Sequence, residues 1–89
     1  MKTCQVTIPN RLGLHARAAA RLVSTSTRFH SEIYLEKEGT RVNGKSIMGV
    51  MMLAASQGTS ITVITDGLDE AEALEAICQL VNDGFGEEQ

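Results

Sequence analysis

The sequence predicts an α+β fold of element order βαββαβα, an antiparallel sheet with its helices packed on one face. Three observations carry that prediction: short runs in which apolar and polar residues alternate, segments in which apolar residues recur at helical spacing, and turn residues between them.

In the first strand Cys4, Val6 and Ile8 alternate with Gln5 and Thr7 until Pro9-Asn10 ends the run. From Ala16 the period changes. Ala16, Ala19, Ala20 and Val23 recur at i, i+3, i+4 and i+7 opposite Arg17, Arg21 and Ser24, which predicts a helix to about Thr27. After an exit loop at Arg28-Phe29-His30-Ser31, with His30 exposed, Ile33 and Leu35 alternate with Glu32, Tyr34 and Glu36. Glu38-Gly39 then folds the chain back into Thr40-Arg41-Val42, and Asn43-Gly44 turns it again. Ser46 is a favourable N-cap for a short apolar helix from Ile47 to Ala55, stopped at Gln57-Gly58. Ile61 and Val63 among Ser60, Thr62 and Thr65 read as a fourth strand, with a turn at Asp66-Gly67. The last helix has the fullest set of signals. Asp69 with Glu72 resembles a capping box, Leu74, Ile77, Cys78 and Val81 make the apolar stripe, and Gly84 suits the position after the C-cap.

At 89 residues the chain is expected to form one small domain, residues 1–89, without repeats or linkers. Phe29, Tyr34 and Phe85 are the only aromatic residues, so the core must be aliphatic, and a sizeable cleft is not expected. The net charge of −3 argues against a general nucleic-acid binder, but it averages two unlike halves. All eight Lys and Arg residues lie in 1–45 beside three acids, for a net +5, whereas 46–89 holds eight acids and no Lys or Arg, for −8. A localised basic surface follows. The basic residues lack interleaved aromatics, which disfavours single-stranded nucleic acid as a partner. No apolar run is long enough for a membrane span, and Met1-Lys2-Thr3-Cys4-Gln5 does not resemble a signal peptide, so a cytoplasmic protein with no membrane partner is expected. Cys4 and Cys78 lack metal-ligand or CxxC spacing and read as two buried, reduced thiols. Two unclustered histidines give no metal site, and nothing calls for a cofactor.

The chemistry is concentrated where a loop becomes the first helix, at Gly13-Leu14-His15-Ala16-Arg17. There an imidazole lies beside the free backbone N–H groups of Ala16 and Arg17, at the positive end of the helix dipole, with the Arg17 guanidinium close by. A cation is disfavoured at a helix N-terminus, which favours the neutral, nucleophilic imidazole. Such a ring can accept a phosphoryl group of about −1.5 to −2 charge, which the amides and Arg17 would hold. The plainer reading is a histidine that only caps the helix. Arg11, Arg21 and Lys45 are further candidates to ring an anion site.

The second helix is apolar nearly all round. Val50, Leu53 and Ala54 share one side and Ile47, Met48 and Met51 the other, so one set must face solvent, where Met-rich surface suits docking to several partners. Ser46 can be simply an N-cap, or a phosphorylation site that would put a dianion beside that patch.

Leu12-Gly13-Leu14-His15-Ala16-Arg17 and Gly44-Lys45-Ser46-Ile47-Met48-Gly49-Val50-Met51 resemble the two signatures of the HPr family, the histidine-containing phosphocarriers of the bacterial phosphoenolpyruvate-dependent phosphotransferase system. The resemblance covers essentially the whole chain. It implies an open-faced sandwich with three helices on one face of a sheet ordered 1-4-2-3. It implies that His15 accepts a phosphoryl group on Nδ1 from phosphorylated enzyme I and passes it to an enzyme IIA component, with Arg17 neutralising its charge. It further implies that Leu14, Ala20, Ile47, Met48 and Met51 form the docking surface of a monomeric carrier that is not itself an enzyme. Where the corresponding HPr kinase/phosphorylase exists, Ser46 would be a regulatory phosphosite. Ala18 stands where many sugar-branch members have Pro, and the Asn82–Glu88 tail is similar to proteobacterial members near the nitrogen-related branch, which leaves the branch open. The alternative function is a regulatory partner-binding module switched at Ser46, with an idle histidine.

Overall fold

In a computed structural model describing residues 1–87, the chain runs β1 (Lys2–Thr7), α1 (Ala16–Ser26), β2 (Glu32–Lys37), β3 (Thr40–Asn43), α2 (Ile47–Met52), β4 (Ser60–Asp66) and α3 (Glu70–Asn82), then a 3-10 turn over Gly84–Gly86. The strands form one antiparallel sheet in the order β1-β4-β2-β3. Cys4 pairs with Val63, Leu35 with Val63 on the other side, and Val42 with Leu35, so one row of apolar side chains crosses all four strands. Val6, Ile33, Leu35, Ile61 and Val63 meet Ala18, Ala19, Leu22, Val50, Ala73, Ile77 and Val81 from the three helices, and Leu53 just after α2, in a single core. The expected open-faced α+β sandwich is the observed architecture.

The details depart from the sequence reading in five places. In α1 the buried residues are Ala18, Ala19, Leu22 and Ser26, whereas Ala16 and Ala20 are exposed. Four alanines within five residues leave the periodicity undetermined, and Leu22, which has far more apolar area to bury, sets the rotation. Thr65, expected on the polar side of its strand, is fully buried, with its hydroxyl donating to the Glu70 carbonyl at 2.8 Å.

α2 ends at Met52 rather than Ala55. Leu53 and Ala54 donate to carbonyls only three residues back, Val50 and Met51, and Ala54 turns to φ +54°. That tight exit drives Leu53 and Ala55 into the core, and it leaves the Ala55 carbonyl to accept the Leu14 N–H at 2.9 Å.

Asp69 is the N-cap of α3 but makes no side-chain cap. Its carboxylate instead accepts from the His30 and Ser31 N–H groups, both at 2.9 Å, and from the Ser31 hydroxyl at 2.5 Å. These bonds tie the entry of β2 to the start of α3 and lower the Asp69 carboxyl to about 2, the Ser31 hydroxyl contributing most. The two thiols are half-buried rather than buried. Cys4 and Cys78 are neighbours at the core margin, and burial, helped by Cys4, pushes the Cys78 thiol up to about 12, which keeps it protonated and unreactive.

At the other end of α3, Gly84 takes φ +64° just beyond the C-cap, as the sequence predicts. Phe85 and Gly86 also adopt positive φ, +59° and +73°, and this left-handed turn buries the Phe85 ring completely. It also aims the following residue back across the molecule toward α1.

Candidate functional site

The site begins with a loop that only glycine can close. Gly13 has φ +65°, and a Cβ there would lie 2.5 Å from the Ala55 carbonyl oxygen and 2.9 Å from the Ser56 Cα. Its N–H donates to the Asn10 carbonyl at 3.1 Å, and with the bond from Leu14 to Ala55 this fixes the approach to His15.

His15 is the N-cap of α1, with extended backbone (φ −75°, ψ 178°) and a carbonyl that already accepts the Ala19 N–H at 2.8 Å. Its Nδ1 accepts the Arg17 N–H at 3.2 Å. The sequence reading had that amide free; instead the imidazole itself satisfies it. Because Nδ1 is an acceptor, the ring proton lies on Nε2, which donates to the Glu87 carboxylate. The side chain remains 26% exposed.

Around the imidazole lies an open depression of 770 Å³ lined by Arg11, Leu12, His15, Ala16, Arg17, Arg21, Gly86 and Glu87. A concavity of that extent was not expected, and it arises because the 3-10 turn stands beside α1. Three of the basic residues of the positive half therefore converge on His15. Arg21 does so while donating to the Phe85 carbonyl. Lys45 does not converge; its ammonium donates to the Phe29 carbonyl at 2.8 Å. Partial burial alone would raise the Glu87 carboxyl, yet hydrogen bonds from Asn10 and His15 and the charge of Arg21 outweigh it and leave the group below the usual carboxylate range.

The second expected site lies on α2. Ser46 is its N-cap, the hydroxyl accepting the Gly49 N–H at 3.1 Å. Ile47, Met48 and Met51 are exposed, while Val50 and Leu53 fill the core, as the two-sided pattern requires. Ala54 is also exposed, because the helix has already ended. Ala20 is exposed, but Leu14, expected on the docking surface, is buried: its N–H is bound to Ala55 and its side chain enters the core. Leu12 and Met52, at 68% and 74% exposed, are apolar surface that the sequence reading did not assign. Asn10 and Glu87 were also missed. They are 77 residues apart, and no local pattern signals their pairing. Among the described residues no cluster of His, Cys, Asp and Glu could hold a metal ion.

Fold and site together define a small α+β protein that offers an imidazole at a helix start, ringed by arginines, beside an exposed apolar helix. A family model described as "PTS HPr component phosphorylation site" matches residues 2–83, and the chain belongs to the HPr family of phosphocarriers of the phosphotransferase system. It is similar to the phosphocarrier protein HPr of Neisseria meningitidis, 55% identical over 82 residues and 92% of either chain. The HPr-like protein Crh of Bacillus subtilis is 48% identical over 79 residues, covering 89% of this chain and 93% of Crh. The crystal structure of HPr-C-His from Thermoanaerobacter tengcongensis superimposes with a TM-score of 0.96 over all of both chains at 46% identity. No helix among the described residues is long and apolar enough to cross a membrane.

Proposed function

We propose that this protein carries a phosphoryl group on Nδ1 of His15, taking it from phosphorylated enzyme I and giving it to an enzyme IIA component in the cytoplasm. The observation that carries the reading is the position of Nδ1: it faces the first turn of α1, bound among the described residues by the Arg17 N–H, with Arg11, Arg17 and Arg21 lining the depression. In the acceptor state the lone pair on Nδ1 holds that amide. Once it forms the bond to phosphorus, the amide turns to a phosphoryl oxygen, so the helix start keeps a cap in both states. The Ala16 and Arg17 amides and the Arg17 guanidinium then share the charge.

A helix-dipole contribution of about 0.3–1 kcal/mol and a charge-assisted hydrogen bond of about 1.5–3 kcal/mol are small enough for the group to leave again. A carrier needs that balance, since tight holding would oppose delivery. The protein is thus a transiently phosphorylated carrier, working as a monomer, rather than an enzyme that turns over a free substrate.

Ala20, Ile47, Met48 and Met51 are the proposed contact surface for donor and acceptor alike, enlarged by Leu12 and Met52. Phosphorylation of Ser46 by an HPr kinase/phosphorylase would place a dianion at the edge of that surface. Incubation with enzyme I and phosphoenolpyruvate is expected to add one acid-labile phosphoryl group to the wild type and none to His15→Ala; labelling of the variant would refute the assignment. A regulatory module that only binds partners through α2 is the second reading, favoured by the exposed Met patch beside Ser46. It gains if wild type takes up no phosphoryl group yet binds a partner according to the state of Ser46.

A further inference from the structure

Glu87 lies outside both sequence signatures, yet its carboxylate is a direct partner of the His15 ring. Two features show that the contact is built. Asn10, wholly buried, donates one amide hydrogen to the Gly13 carbonyl at 2.8 Å and the other to Glu87 Oε1 at 2.8 Å. Its Oδ1 has no hydrogen-bond partner among the described residues, so the side chain is used for its two donors. A flipped amide would set oxygen against two acceptors, which fixes the orientation. The second feature is the turn over Gly84–Gly86. A non-glycine residue in the left-handed region is uncommon, and Phe85 is held there by a fully buried ring and by the bond from Arg21 to its carbonyl. Glu87 N–H closes the turn onto the Gly84 carbonyl at 3.1 Å, which sets the carboxylate between Asn10 and His15.

We propose that Glu87 is a positioning residue for phosphoryl transfer: held by Asn10, its carboxylate keeps the His15 proton on Nε2 and leaves Nδ1 unprotonated. The inference rests on Nδ1 being the phosphoryl acceptor. In the forward step Nδ1 gives its lone pair to phosphorus while the bond from phosphorus to the donor's leaving atom breaks, and that electron pair departs with the donor. The ring keeps its Nε2 proton and gains one positive charge, against which the Glu87 carboxylate already lies. On delivery the nitrogen–phosphorus electron pair returns to Nδ1 and the ring is neutral again. No proton need leave Nε2 in either direction. Arg11, Arg17 and Arg21 line the same depression, so Glu87 is the anionic counterpart to three cations facing the ring.

The test uses the full-length 15N-labelled protein. Long-range 1H–15N spectra, recorded above the pH at which the imidazole titrates, are expected to show the wild-type ring as the Nε2–H tautomer. In Glu87→Ala the two ring-nitrogen shifts should move toward a tautomer mixture, and phosphoryl uptake from enzyme I should slow by about ten- to a hundredfold, the scale of one lost charge-assisted hydrogen bond. Glu87→Gln should behave alike, because the two donors meet different carboxylate oxygens and an amide offers an acceptor at only one of those two atoms. Glu87→Asp, which keeps the carboxylate, should recover part of both readouts. Unmoved ring-nitrogen shifts, or an unmoved rate, in Glu87→Ala and Glu87→Gln would overturn the proposal. A wild type that takes up no phosphoryl group would instead sink the phosphocarrier reading, with the tautomer spectra still reporting on Glu87.

Discussion

Two helix starts in this protein use the same local device and come to different ends. At α1 and at α2 a side chain one residue before the helix folds back and accepts an orphan backbone N–H: His15 Nδ1 from Arg17, and Ser46 Oγ from Gly49. The surroundings separate them. His15 heads an 11-residue helix, with arginines lining a depression beside it and the C-terminal turn standing over its far nitrogen. Ser46 heads a 6-residue helix whose exposed side is Ile47, Met48, Met51 and Met52. A cap therefore does not define a site; the groups that tertiary structure brings to the cap do. The start of α3 completes the contrast, because there Asp69 turns away from its helix and braces the β2 entry instead.

The contrast is broken most directly by removing each capping group. His15→Ala should abolish phosphoryl uptake, while Ser46→Ala should retain it and lose about 1 kcal/mol of stability through the missing cap, measured by urea unfolding. If Ser46→Ala also abolished uptake, the two starts would not differ as described. Next in size is Gly13→Ala, whose Cβ would clash with the backbone of Ala55 and Ser56. Left-handed strain of about 1–3 kcal/mol, together with that clash, should lower the unfolding midpoint clearly and disturb the His15 ring; a midpoint equal to wild type would show the loop to be freer than its contacts imply.

Ser46→Asp should slow phosphoryl uptake about three- to tenfold at low salt, with the difference shrinking at high salt as a surface charge is screened. An equal rate at low salt would remove the regulatory role for that position. The mildest effect concerns Asp69. Its carboxyl lies near 2 in the folded protein against an ordinary 3.8, so it contributes stability above about pH 4 that is lost as pH falls toward about 2. Asp69→Asn should flatten that part of the stability curve and leave phosphoryl uptake unchanged; a full acid slope in the variant would assign the effect to other carboxylates.

The sequence alone carried the element order, the histidine at a helix start, the serine cap and the two-sided second helix, because each is written in residues within a few positions of one another. Period-two alternation needs only a strand, and the opposition of Val50 and Leu53 to Ile47 and Met48 needs only helical geometry. Local patterns failed where two local solutions are nearly equal. The alanines of α1 fit several rotations, and Ala55 fits a longer helix until the Leu14 N–H claims its carbonyl. Asp69 and Glu72 match a capping box, yet Asp69 finds three donors in another loop.

The charge split is the clearest case of what each level decides. Composition determined that the first half is basic and the second acidic, and the family motif pointed to His15 and Arg17. Only the tertiary structure decided that Arg11, Arg17 and Arg21 gather round the imidazole while Lys45 binds the Phe29 carbonyl. The fold also brings one acid of the negative half, Glu87, across 72 residues of sequence to the same ring. Hydrogen bonds act over a few ångströms, and contacts that distant in sequence exist only after the sheet and the buried Phe85 have fixed where Glu87 meets the start of α1.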